Sequence, residues 1–222
     1  MAEKGFFNLD ICASEIVQKD KVVLLSVPTI TPYKGRVDNC SSGIKVLRDA
    51  SKKFEDKKNS WDFDTNTSLN QTISSIVDLG NFSLKQNPEN DRAKLTEKLK
   101  FHISNGNKII ILGGDDSVSI PPILALEPLK QVHILQIDAH LDWKDHVGKE
   151  KFGRSNVMKR ASECEWVEGI TQIGLRGLGT SSEKELLEAK KWGVNIITSV
   201  ELLDLKIEEI VEIIPKEIPV YI

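Results

Sequence analysis

Residues 133–142 read His133-Ile134-Leu135-Gln136-Ile137-Asp138-Ala139-His140-Leu141-Asp142. The first five are mostly apolar and the last five mostly polar or small, so the segment reads as a buried strand whose carboxyl end runs into a loop. In an extended backbone residues two apart face one side, which would set Asp138, His140 and Asp142 in a row of O, N and O donors. Such a row is a metal-ligand set. Its place matters too, because parallel sheets bind ligands just outside the carboxyl ends of their strands.

Upstream, residues 108–112 (KIIIL) are the clearest buried strand, and Gly113-Gly114-Asp115-Asp116-Ser117 follows at once. If the two strands are neighbours, Asp115, Asp116, Asp138 and Asp142 converge with one imidazole, and their repulsion calls for a cation. Asp115 is read as a hydrogen-bond acceptor for loop amides, which strand-end aspartates often are. Asp116, Asp138, His140 and Asp142 are the candidate ligands. An oxygen-rich set with one histidine favours Mn2+ or Mg2+ over Zn2+. Against this stands a plainer reading in which Asp138 and His140 share only a structural hydrogen bond. His133 and His102 are read as structural, and His146 as a solvated loop residue.

Strand-like and helix-like stretches alternate along the chain. Residues 21–27 (KVVLLSV) form a β-branched run closed by Pro28, and Ser41 or Ser42 can cap a helix with a stripe of Ile44, Leu47 and Ala50. No element is assigned to residues 55–72; residues 73–79 read as a strand. Pro88 opens a helix with the stripe Leu95, Leu99 and Ile103, and Gly106 stands where a helix ends. Further helices are expected near Pro121, over 157–163, from the Ser182/Glu185 capping box to Gly193, and over 207–214. Strands are expected over 132–137, 170–174 and 194–198. This alternation predicts an α/β fold, a mostly parallel sheet covered on both faces as a three-layer αβα arrangement, with 1–222 as a single domain. Residues 219–222 (PVYI) look like a strand cut off as it begins, so the chain is expected to be C-terminally truncated and its sheet incomplete.

Of 222 residues, 40% are hydrophobic and 28% charged, the balance of a water-soluble globular chain. A net charge of -3 and scattered lysines recommend neither a nucleic-acid nor a membrane partner. Cys12, Cys40 and Cys164 are too far apart for a disulfide framework or a cysteine metal site. With no signal-peptide core, the cytoplasm is the expected compartment.

At these motifs the sequence resembles the ureohydrolases: agmatinase, arginase and their relatives. Residues 113–121 (GGDDSVSIP) resemble the family's GGDHS segment, and residues 138–142 (DAHLD) match its DAHxD segment. The likeness extends to residues 77–81 (VDLGN), 158–161 (MKRA), 173–176 (IGLR) and the first strand with its Thr31-Pro32-Tyr33 loop. The resemblance implies an arginase-like fold and a pair of Mn2+ ions whose bridging hydroxide attacks a guanidinium carbon to release urea and an amine. By position, Asp138 would bridge the metals, His140 would bind one, and Asp142 would bind the other while taking the nucleophile's proton. It also implies a small guanidino substrate, agmatine first, giving putrescine, and a trimeric or hexameric homo-oligomer. Specificity is expected in loops such as 143–153. Three departures stand out. Asp116 replaces the family's histidine, Arg154 replaces a proton-shuttle histidine and cannot serve as a base, and the family's aspartate-rich segment after a strand like 219–222 does not follow here. They leave an alternative: a degenerate, non-catalytic ureohydrolase-like protein that binds a ligand or a subunit partner.

Overall fold

The computed structural model describes residues 4–13, 17–31, 33, 42–57, 59–85 and 87–222. Its strands and helices alternate as the sequence suggests, and every pairing among the strands longer than two residues is parallel. The chain divides into two compact units, Met1–Ile30 with Val37–Val118 and Thr31–Arg36 with Ser119–Ile222.

The first unit is built on strands β1 (Val22–Val27), β4 (Ile76–Asn81) and β5 (Lys108–Gly113), in the order β4-β1-β5. The central strand β1 carries the burial: Val23, Leu25 and Val27 are 1% exposed or less. Flanked on both sides by parallel partners, it reads in sequence as a continuous apolar run for that reason. β5 is less buried than its KIIIL composition predicts, with Ile110 42% exposed, because among the described residues it pairs with β1 alone.

Among the described residues this unit has the α-helices α1 (Gly43–Ser51), α2 (Leu69–Ile73) and α3 (Pro88–Ser104). α1 does not bury the expected stripe. Leu47 is 52% exposed, and the inward face is Ile44, Arg48 and Ser51, spaced four and three apart. Ser42 stands at the N-cap position, while Ser41 lies outside the described residues, as do Pro32, Gly35 and Cys40.

The unassigned stretch 55–72 is structured. It holds the end of a 3-10 helix (Lys52–Lys57), a short antiparallel pair of β2 (Trp61–Asp62) and β3 (Thr67–Ser68), and α2. α2 takes the start of the run expected as a strand over 73–79, because Ser68 and Gln71 form a capping box that satisfies its first free amides. The strand itself begins three residues later, at Ile76. On α3 the buried face turns from Leu95 and Leu99 to His102 rather than Ile103, and His102 is fully buried beside Asn107.

The second unit holds a four-stranded sheet, β8-β7-β6-β9, made of β6 (Val132–Ile137), β7 (Val167–Leu175), β8 (Asn195–Thr198) and β9 (Val220–Tyr221). β9 pairs in parallel with β6, His133 opposite Val220 and Ile134 opposite Tyr221. Helices α4 (Ile120–Ala125), α5 (Val157–Ala161), α6 (Glu183–Trp192) and α7 (Ile207–Ile213) connect the strands. Leu135, Ile173 and Ile197, one from each of three adjacent strands, make a core patch covered by Leu202, Leu205, Ile210 and Ile214. α6 opens on the expected Ser182/Glu185 capping box and closes at Gly193, whose φ of 107° suits a glycine. Among the described residues no helix is long and apolar enough to cross a membrane.

Candidate metal centre

The segment after β6 leaves the extended conformation at once. β6 stops at Ile137, residues 138–139 bend, and Asp142 has a φ of 50°, so Asp138, His140 and Asp142 do not form the strand-end row that alternation predicts. The loop is held by backbone bonds instead. Asp138 N donates to Ile173 O at 3.0 Å and Arg176 N donates to Ala139 O at 3.0 Å, both at the end of β7. Asp142 O accepts from Met158 N at 3.2 Å and Lys159 N at 3.3 Å on α5. Aspartate tolerates this left-handed backbone better than most residues, at a strain of roughly 1 kcal/mol or more.

Within this loop Asp138 and Asp142 present oxygens within 4.8 Å of one another. Asp142 is 8% exposed and the Asp138 side chain 18%. One amide serves both: Gln136 Nε2 donates to Asp142 Oδ2 at 2.9 Å and to Asp138 Oδ2 at 3.2 Å. Behind it, Gln172 Nε2 donates to Gln136 Oε1 and, at 2.9 Å, to Leu141 O. Gln136 and Gln172 are register partners on β6 and β7.

His140 is more open, with its side chain 52% exposed. Its Nδ1 lies 3.0 Å from Asp138 Oδ1, which also accepts from His140 N. With the carboxylate as acceptor, Nδ1 is the donor of this contact and Nε2 lies outside it. The structural hydrogen bond weighed from sequence is therefore present, and it leaves one ring nitrogen able to ligate. The two carboxylates suit a hard divalent cation such as Mn2+ or Mg2+, and His140 stands outside the set of close donor atoms.

In the first unit, Asp116 is exposed and opens a 3-10 helix, Asp116–Ser119, just past β5. Asp115 accepts from Ser117 N at 3.1 Å and from the Ser117 hydroxyl, the loop role expected of it. Gly114 packs against Thr29: a Cβ there would fall 1.9 Å from Thr29 O, so only glycine fits this turn.

The remaining sequence candidates are accounted for locally. His133 Nε2 pairs with Thr171 Oγ1 at 2.9 Å, and burial lowers its pKa. His146 is solvated beside Asp145. Arg154 stacks over Tyr33, with its guanidinium carbon 5.5 Å from the ring centroid. Trp143, placed by sequence in a specificity loop, is 2% exposed and meets Trp192 edge to face. Sequence reading missed Gln136 and Gln172, although amides inside otherwise apolar strand runs are the visible signal for both.

Comparison with known proteins follows the same lines. An agmatinase from Pyrococcus horikoshii is 25% identical over 191 residues, 85% of this chain and 62% of that protein. A guanidinobutyrase from Pseudomonas aeruginosa is 26% identical over 126 residues, 54% of this chain and 39% of that protein. The chain thus spans from 39% to 62% of the length of these relatives. Among solved structures, proclavaminate amidino hydrolase from Streptomyces clavuligerus superposes with a TM-score of 0.82 at 19% identity, covering 100% of this chain and 73% of that one. Trypanosoma cruzi formiminoglutamase with Mn2+ superposes with a TM-score of 0.69 at 16% identity, covering 83% and 62%. These likenesses show the α/β fold. The model of the arginase family matches residues 20–222, through both units, and the chain belongs to that family.

Proposed function

We propose that the protein is a metal-dependent amidinohydrolase that cleaves a linear guanidino compound, agmatine first, to urea and an amine such as putrescine. The observation that carries this reading is the Asp138–Asp142 pair, two carboxylates of a pinned loop turned toward one amide donor. On this reading Asp116, Asp138, His140 and Asp142 would hold two Mn2+ ions, and residues 1–222 would act as part of one arginase-like domain. When bound, such ions would lower the pKa of a water molecule and so supply the nucleophile for the guanidinium carbon. Asp142, buried and backbone-locked, would accept the proton of the attacking water, and the pinned loop keeps its carboxylate in one place. Family membership supports the reaction class, and the agmatinase and guanidinobutyrase relatives support an unbranched guanidino substrate. We place the protein in the cytoplasm as a homo-oligomer.

The test is urea release by the full-length protein with added Mn2+ across a panel of guanidino compounds. Activity that disappears in Asp138→Asn is the expected result, and no urea from any of the panel refutes the reading. Asp116 and Arg154, where the family has histidines, favour a second reading, a non-catalytic binding protein. Micromolar binding of agmatine without turnover is its signature.

A further inference from the structure

Gln172 is fully buried, yet its Oε1 has no hydrogen-bond partner among the described residues. Its orientation follows from the carboxylates. Gln136 turns Nε2 toward two acceptor-only oxygens of Asp138 and Asp142, since its carbonyl there would meet negative charge. Gln136 Oε1 must then face β7, where only a donor is tolerated, and Gln172 supplies Nε2. The second hydrogen of that Nε2 goes to Leu141 O, the residue before Asp142. Leaving Oε1 unpaired is what this orientation costs. The Leu141 carbonyl and the acidic pair both call for amide hydrogens, so the chain of dipoles runs from β7 toward the carboxylates.

From this geometry we infer that Gln136 is a positioning residue, held by Gln172, that keeps Asp138 and Asp142 converged and turned toward a divalent cation. This rests on the proposed reading of the loop as a metal centre. Each carboxylate has its Oδ2 on the Gln136 amide, so the amide couples the two groups, while His140 holds the other oxygen of Asp138. Gln172 acts only through Gln136 and the Leu141 carbonyl. Groups one step behind the ligands typically change metal affinity 10- to 100-fold.

The test is Mn2+ affinity, by electron paramagnetic resonance of free Mn2+, in the full-length protein and in Gln136→Leu, Gln172→Leu, the double variant, and Gln136→His as the donor-retaining control. The inference expects affinity to fall about 10- to 100-fold in Gln136→Leu, less in Gln172→Leu, no further in the double variant, and to recover in part in Gln136→His. A purely structural pair would lower thermal stability additively and leave affinity alone. Variants whose circular dichroism matches wild type, but which bind Mn2+ as wild type does, overturn the inference. So does a wild type that binds no tighter than Gln136→Leu. Urea release is scored separately on wild type, so loss of the enzymatic reading and loss of this inference give different results.

Discussion

Arg48 and Asp78 form a buried two-point ion pair, with Nη1 to Oδ2 at 2.7 Å and Nη2 to Oδ1 at 3.1 Å. Their side chains are 6% and 0% exposed. Asp78 also accepts from Phe6 N at 2.7 Å and Gly80 N at 2.8 Å, and Arg48 reaches Ser26 Oγ on β1. The pair ties α1, β4 and the first described residues together. Removing one partner leaves the other charge buried without its counter-ion, so Arg48→Ala or Asp78→Ala should cost roughly 3–5 kcal/mol. Replacing both, as Arg48→Met with Asp78→Leu, should cost less than the sum of the two single losses on that account. Chemical denaturation of the four proteins measures it, and additive losses would contradict it.

The turn at Gly114 gives a second expectation. A methyl group 1.9 Å from Thr29 O has to push backbone, not a flexible side chain. Gly114→Ala should therefore lose roughly 1–3 kcal/mol or more, while Gly148→Ala, with nothing within 4 Å of its Cβ but a φ of 62°, should lose only about 1 kcal/mol from backbone strain. Thermal melts of the two variants side by side give the comparison.

Such features explain what could be read in advance. β1 and β6 were legible because unbroken apolar runs declare burial. Burial of KIIIL was overestimated because the position of β5 in its sheet depends on partners that periodicity does not see. The α1 face departs from its apolar stripe for a related reason. Arg48 lies inward only because Asp78, thirty residues away, neutralises it. At the candidate centre the identities of Asp138, His140 and Asp142 were plain, but not their arrangement, since the loop leaves the strand geometry that the reading assumed. Gln136 and Gln172 become a pair only when β6 and β7 are in register.

Asp145 supplies a pH dependence. Arg160 donates to its carboxylate at 2.8 Å, and with His146 alongside holds its pKa down to about 2. Because the folded value lies below the unfolded value of about 3.9, the pair stabilises fully above pH 4 and is lost as pH falls toward 2. Glu163, which also accepts from Arg160, remains as a partial substitute. Asp145→Asn should lower stability near neutral pH slightly and flatten the acid limb between about pH 4 and 2. Acid titration followed by circular dichroism reports the slope, and an unchanged limb would remove Asp145 from it.

Cys164 should be inert in the native protein. Burial pushes its thiol up to about 11, and the sulfur sits against Arg160 O. At pH 8 about one molecule in a thousand carries the thiolate, so alkylation needs unfolding first. Mass spectrometry after brief iodoacetamide treatment should find Cys164 unmodified, and fully modified in denaturant. Rapid native labelling would show that this part of the second unit opens readily.

The backbone of Asp142 separates two roles that one residue carries. Its φ of 50° demands a side chain tolerant of the left-handed region, and its carboxylate faces Gln136. Asparagine keeps the backbone tolerance and an acceptor for Gln136, alanine keeps neither, and valine adds β-branching in a region that disfavours it. Stability should therefore fall in the order Asn, Ala, Val, with Asp142→Ala about 1 kcal/mol below Asp142→Asn and Asp142→Val lower again. All three lack the anionic oxygen, so Mn2+ binding should be weakened in all three, including the well-folded Asp142→Asn. Denaturant midpoints and Mn2+ titrations on one set of preparations test both. A stable Asp142→Asn that binds Mn2+ as wild type does would mean that Asp142 serves the loop and not the metal.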